Sequence, residues 1–250
     1  MKRKYGWKPD IPDVRDFAYK LLAPKVSLPK YVDLRPQFPP VVDQGQLGSC
    51  TGNSIAGAFH YGMLKQREIA FPPSRLFIYY NERVMENTVD QDAGAMIRDG
   101  IKTLNKTGVC SEMLWPYDVS KFTLQPGKEA FAEAEKHKAL TYTRLNNSAI
   151  NELKNCLANG LPFVFGFSVY ESFESAKVAK NGKMPMPAKK EKMLGGHAVC
   201  CVGYDDTKKV FIVRNSWGTS WGDKGYFYMP YAYITDANLA DDFWTINLIS

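Results

Sequence analysis

Apolar residues in this 250-residue chain change their spacing once, near Pro162, and that single change limits the folds open to it. Before it the spacing is helical. Between Cys50 and Met63, Ile55, Phe59 and Met63 recur every fourth position with Ala58 beside them, which predicts one apolar helical face. Further helices are expected over 74–83, over 93–104 through Ile97, Ile101 and Leu104, and over 149–157. Gly108 and Gly160 lie just past two of these, where left-handed stop residues belong. Beyond Pro162 the stretches FVFGFSV (from 163), HAVCCVGY (197), VFIVRNSW (210), GYFYM (225) and DFWTINLI (242) are short, β-branched or aromatic, and punctuated by Gly, Asp and Asn. Helices followed by strands argue for an α+β protein with a helical half and an antiparallel sheet or barrel half, and against βαβ alternation. A site drawing on both halves would lie in the groove between them.

With 45% hydrophobic residues the chain can bury a substantial core, as one large domain or two lobes sharing an interface. No apolar run approaches the ~18 residues of a membrane span. The start, MKRKYGWKPDIPDVRD, has no apolar region like that of a secretory signal, so secreted, lysosome-like and cytoplasmic locations all stay open. The net charge of +6 sits mostly between Lys177 and Lys192, where six lysines face one acid, Glu191. That span reads as a solvated loop. It lacks the interleaved aromatics of a nucleic-acid surface, so neither nucleic acid nor membrane is expected as a partner, and the chain is expected to act as a monomer. Residues 1–27 carry Pro9, Pro12 and Pro24 with no sustained period and read as an extended lead segment.

Five cysteines (50, 110, 156, 200 and 201) fit no metal-ligand spacing, so free thiols and no metal or other cofactor are expected. Cys200 and Cys201 alternate across a strand and point to opposite faces, as packing residues do. Cys50 differs. Gly48 and Ser49 permit close approach, a helix follows, and a helix N-terminus favours a thiolate. Its backbone N–H, in the first turn, is free to meet an oxyanion. A thiolate nucleophile needs a base, and the chain has three histidines. His60 lies inside a helix and His137 in the charged stretch AEAEKHKAL, both read as structural or solvated. His197 follows two glycines, opens a buried strand and belongs to the other half of the chain, which suits acyl transfer across a groove. Asn215, ending a neighbouring strand, can accept the imidazole N–H and fix its tautomer.

From Leu28 onward these residues sit in a pattern that resembles the papain family of cysteine peptidases. LPKYVDLR (28–35) resembles the mature start of such enzymes and DQGQLGSC (43–50) their glutamine-to-cysteine block. GGHAVCCVGYDD (195–206) is similar to the histidine strand, and RNSWGTSWGDKGYFYM (214–229), the most specific match, to the asparagine block with its two tryptophans. His197 and Asn215 follow Cys50 by 147 and 165 residues, the latter somewhat late for the family. The resemblance implies a two-lobe fold. A helical lobe over about 28–140 and an antiparallel β-barrel-like lobe over about 141–250 would flank an active-site cleft, with residues 1–27 as a short inhibitory propeptide or a surface strap held through Tyr5 and Trp7. It implies Cys50 as nucleophile, His197 as general acid/base, Asn215 as orienter, Trp217 shielding that hydrogen bond beside the substrate, and Gln44 donating to the oxyanion. It also places Gly94, Ala95, Met96 and Gly196, with Leu194, along the peptide-binding groove.

Two departures stand out. Leu47 replaces one half of a family disulfide, which weakens an extracellular reading, and Thr51 replaces the aromatic residue after the nucleophile, which bears on rate and substrate fit. The reading that results is a cysteine peptidase working through a Cys-His-Asn triad and a thioester on a peptide or protein substrate. An amidase or transpeptidase with the same triad, and a silent binding protein of the same fold, are the alternatives.

Overall fold

In the computed structural model, which describes residues 3–19, 27–66 and 69–250, the helical half is built around one buried helix. The lead segment's remaining residues, Pro24 among them, lie outside the described ones. After β1 (Trp7–Lys8) and β2 (Tyr31–Asp33) comes α1 (Cys50–Gln66), buried over Cys50–Phe59 and again at Tyr61 and Met63. A helix buried on nearly all sides needs small residues where neighbours come close. Gly52 supplies that against α2, since a Cβ there would lie 2.8 Å from the Arg75 carbonyl oxygen.

The second helix, α2 (Arg75–Met85), starts at Ser74, whose hydroxyl accepts the Phe77 N–H at 3.1 Å in the usual N-cap manner. The third begins later than its periodicity predicts. Gly94 takes a left-handed φ of +70°, β3 (Ala95–Met96) is extended, and only then does α3 (Ile97–Lys106) start. Gly108 and Gly160 do adopt the left-handed conformation, at φ +84° and +69°. A short α4 (Lys128–Ala134), legible in no apolar period, precedes the sheet.

The remaining elements are β4 (Ala139–Arg144), α5 (Ile150–Ala158), β5 (Phe163–Tyr170), α6 (Ala176–Asn181), β6 (Met193–Asp205), β7 (Val210–Arg214), β8 (Tyr226–Pro230), α7 (Tyr231–Ile234) and β9 (Ala240–Ile249). Seven strands form one antiparallel sheet ordered β4-β9-β5-β6-β7-β8, with β2 joined to β6, while β1 and β3 form a separate parallel pair. The fold is α+β, but the sheet does not close into the expected barrel: β4 and β8 end its path unpaired with each other. Helix α1 covers its inner face instead, packing on β6 and β9, so the apolar face needs no curling to be buried. The lysine span is also less uniform than a loop, because α6 lies within it. Its six lysines are nonetheless all exposed. Among the described residues no helix is long and apolar enough to cross a membrane.

Candidate active site

The first residue of α1 is Cys50, and its sulfur accepts the Ala198 N–H at 3.4 Å. The nucleophile candidate from the helical half thus abuts the residue immediately after His197 on β6. His197 Nε2 lies 2.8 Å from Asn215 Oδ1, and the Ser216 N–H, also donating to that oxygen at 2.8 Å, fixes which way the amide faces. An oxygen there makes Nε2 the N–H donor and leaves the lone pair on Nδ1, a buried atom with no partner among the described residues. Trp217 stacks on the imidazole with centroids 4.9 Å apart.

Gln44 faces the same spot from the loop before α1. Its Oε1 accepts the Ser216 hydroxyl at 2.6 Å, which turns Nε2 toward the Leu47 carbonyl at 2.9 Å and the Lys4 carbonyl at 3.4 Å. Asp92 steadies the approach to the cysteine by accepting the Gly48 N–H at 2.9 Å and the Tyr79 hydroxyl at 2.8 Å. The two family departures have packing answers. Leu47 is buried with Leu76, Tyr79 and Ala95, and the Thr51 hydroxyl donates to buried Glu82 at 2.7 Å.

The groove over these residues is filled by the chain's own lead segment. Lys4 offers its carbonyl to Gln44, the Tyr5 ring sits 6.1 Å from His197, and the Gly6 carbonyl accepts the Ala95 N–H at 2.7 Å. Then β1 runs parallel to β3, pairing Trp7 with Ala95 and Lys8 with Met96. Gly94 and Gly6 permit this approach: a Cβ on Gly94 would lie 2.1 Å from the Gly6 oxygen, and one on Gly6 would lie 1.6 Å from the Gly48 oxygen. The Trp7 indole fills a pocket between Gly166 and Gly196, where added Cβ atoms would meet its ring at 1.9 and 2.7 Å, and donates its N–H to Asp242 at 3.0 Å. Gly94, Ala95, Met96, Gly196 and Trp217 therefore all border the segment, and Leu194 is half-buried nearby.

Covered in this way, Cys50 and His197 are wholly buried. Burial pushes the thiol up to about 11, with N–H groups of Ala198 and Gly6 holding it partly back. The imidazole goes down to about 4 for the same reason, against the pull of Asn215. Both shifts favour the neutral forms while the segment is seated. Asp10 and Asp242, a buried carboxyl pair, are both held above the usual range by burial.

The other histidines are elsewhere: His60 is half-buried on α1 and His137 packs against Phe71 at 4.6 Å between centroids. All five cysteines are unpaired and buried, and no cluster of metal-ligating side chains occurs among the described residues. Sequence reasoning missed Ser216, Asp92, Asp242 and Gly166. Of these only Ser216 carried a signal, as the neighbour of Asn215, because the others meet the site through tertiary packing.

A family model described as "Papain family cysteine protease" matches residues 28–244. Across its whole length the chain is 46% identical to 88% of an uncharacterized peptidase C1-like protein, L477, of Acanthamoeba polyphaga mimivirus. Over 82% of its length it is 32% identical to cysteine proteinase 1 of Entamoeba histolytica, spanning 64% of that relative. Among solved structures, xylellain, a cysteine protease from Xylella fastidiosa, superposes with a TM-score of 0.90 at 46% identity, covering 98% of this chain and 97% of that one.

Proposed function

This chain belongs to the papain family of cysteine proteases and is a cysteine-type peptidase; from that premise we propose that Cys50, His197 and Asn215 are its catalytic triad, with Gln44 and the Cys50 N–H as oxyanion donors. The observation that carries this is the meeting of three distant segments: Cys50 Sγ at the Ala198 N–H, and His197 bonded through Nε2 to Asn215. Once the groove is open to water, a helix N-terminus beside the sulfur and a carbonyl-type partner on the imidazole favour thiolate and imidazolium.

The sulfur attacks the scissile carbonyl carbon, and the carbonyl electron pair moves to oxygen, held by Gln44 Nε2–H and the Cys50 N–H. As that pair returns, the C–N bond breaks and His197 protonates the leaving amine. Water, deprotonated by the same imidazole, then attacks the thioester, and its collapse releases a carboxylic acid and regenerates the thiol. Asn215 keeps Nδ1 available for these transfers, and Trp217 keeps competing water from the Asn215 bond. Residues 4–10 act as an internal plug that occupies both the oxyanion position and the peptide-binding edge of β3, the latter by strand addition.

A thiol-directed irreversible peptidase inhibitor, followed by peptide mapping, tests the assignment. Modification at Cys50 alone, loss of hydrolysis in Cys50→Ala, and products bearing free carboxylates are expected. Modification scattered over all five cysteines, or a new amide in the products, overturns it.

A further inference from the structure

Of the groups that hold the two oxyanion donors in place, only Ser49 lies in a motif read above, and none belongs to the triad. Gln44 reaches the site from a loop in which Gly45 follows at φ +61°, a conformation glycine adopts freely, so the 44–45 peptide has little intrinsic resistance to rotation. Its carbonyl oxygen accepts the Tyr117 hydroxyl at 2.8 Å, from the long connection between α3 and α4. The same Tyr117 oxygen lies 2.5 Å from Ser49 Oγ, one residue before the nucleophile. Asn53, one turn into α1, donates its amide to Ser49 Oγ at 3.0 Å and to the Ser49 carbonyl at 2.9 Å. Arg75 of α2 donates to Asn53 Oδ1 at 3.0 Å and lays its guanidinium over the Tyr117 ring, 3.9 Å from the centroid.

The direction of every bond in this chain follows from chemistry. A carbonyl only accepts, so Tyr117 donates to Gln44; the phenol oxygen then accepts the Ser49 proton, and Ser49 Oγ accepts from Asn53. At the far end a guanidinium only donates, so Asn53 turns its oxygen to Arg75. No hydroxyl is left to choose between orientations, and bonds aligned in one direction polarise and strengthen one another. One end grips the Gln44 peptide. In the middle, Asn53 grips the Ser49 carbonyl, which shares a rigid peptide plane with the Cys50 N–H. The relay therefore spans both oxyanion donors and touches neither the sulfur nor the imidazole.

We propose that Tyr117, driven by the Arg75–Asn53–Ser49 relay, is a positioning residue that holds Gln44 and the Cys50 N–H at the separation an oxyanion requires. This rests on the donor assignment made under Proposed function. Two reagents on the full chain separate the roles. A peptide aldehyde forms a hemithioacetal: the S–C bond forms, the carbonyl π pair goes to oxygen, and that oxygen takes up the thiol proton beside the two donors. Iodoacetamide alkylates the sulfur with loss of iodide and uses neither donor. Any gating by the lead segment raises or lowers both reactions together and cancels in their ratio.

For Tyr117→Phe, kcat and aldehyde affinity are expected to fall about tenfold, less than the loss of a whole oxyanion donor, while KM and the alkylation rate stay within about twofold. Ser49→Ala, which leaves the Tyr117 ring and the Arg75 stack intact, is expected to show the same split at about threefold. The double variant is expected to lose no more than Tyr117→Phe alone, as members of one relay do. Parallel loss of aldehyde affinity and alkylation, no loss in either, or full additivity in the double variant overturns the inference. Failure of the underlying reading looks different: a Trp7→Ala chain, its groove opened, that reacts with neither reagent at Cys50, or a Cys50→Ala chain that still hydrolyses peptides.

Discussion

The two ends of the lead segment grip the same enzyme by different means. Over the groove, Lys4–Asp10 is held by the half-buried Trp7 indole and a set of individual polar contacts: Tyr5 to Glu174, Trp7 to Asp242, the Lys8–Glu86 ion pair at 2.9 Å, and Asp10 to Trp244 at 2.8 Å. Farther along, Phe17 accepts the Arg144 N–H at 2.8 Å, and the Tyr19 ring is 1% exposed within the main core. Between them the chain turns outward, leaving Ile11, Val14 and Phe17 exposed. Contacts of the first kind can be released one by one as solvent replaces them. A buried ring cannot be withdrawn without leaving a hole in the core. The plug proposed above and a stabilising strap would thus be successive parts of one segment.

Tyr19→Ala breaks the comparison most directly. It is expected to cost about 3–5 kcal/mol and roughly 10 °C in Tm, whereas Trp7→Ala lowers Tm by no more than a few degrees. Equal losses in two calorimetric scans would erase the distinction. Next in size is accessibility. Trp7→Ala, or Gly166→Ala, whose Cβ would meet the indole at 1.9 Å, is expected to raise iodoacetamide labelling of Cys50 at pH 7 by ~10-fold or more. An unchanged labelling rate would show that residues 4–10 do not cover the sulfur in solution.

The form of the pH profile sharpens the same contrast. In the seated state the thiol is raised and so stays protonated at pH 7, and labelling should climb steadily with pH toward about 11. In Trp7→Ala, with water admitted, the hydrolysis profile should become bell-shaped. Linkage gives the sign for the plug itself. The raised thiol contributes stability that is present below its ordinary value and lost as pH rises toward about 11, and the lowered imidazole contributes stability that is present above its ordinary value and lost as pH falls toward about 4. The plug should hold best between those limits. The smallest effect expected is that of Tyr5→Phe, which removes the hydroxyl contact to Glu174 and should raise labelling about threefold, the worth of one partly exposed hydrogen bond.

How much of this was readable beforehand depends on how local each signal is. The start of α1 at Cys50 and the left-handed glycines at 108 and 160 follow from adjacent residues and lie where the pattern puts them. Helix α3 begins at Ile97 and not at residue 93 because β3 is drawn into pairing with Trp7, almost ninety positions earlier in the chain. Cys50, His197, Asn215, Gln44 and Trp217 stand in recognisable blocks and converge in space. The groups that aim them do not announce themselves. Ser49 meets Tyr117 across 68 residues and Gln44 meets Ser216 across 172, pairings that no spacing rule suggests.

By itself, then, the order of residues determined the α+β class, the helix that carries the cysteine and the blocks that carry its partners, because helical period, strand composition and capping act over a few neighbours. Only the tertiary structure decided that the sheet stays open against α1, that the chain's own N-terminal residues fill the groove, and that burial there favours the neutral forms of thiol and imidazole. Those outcomes depend on which surfaces exclude water from which, and desolvation is a property of packed surroundings that no short stretch of chain contains.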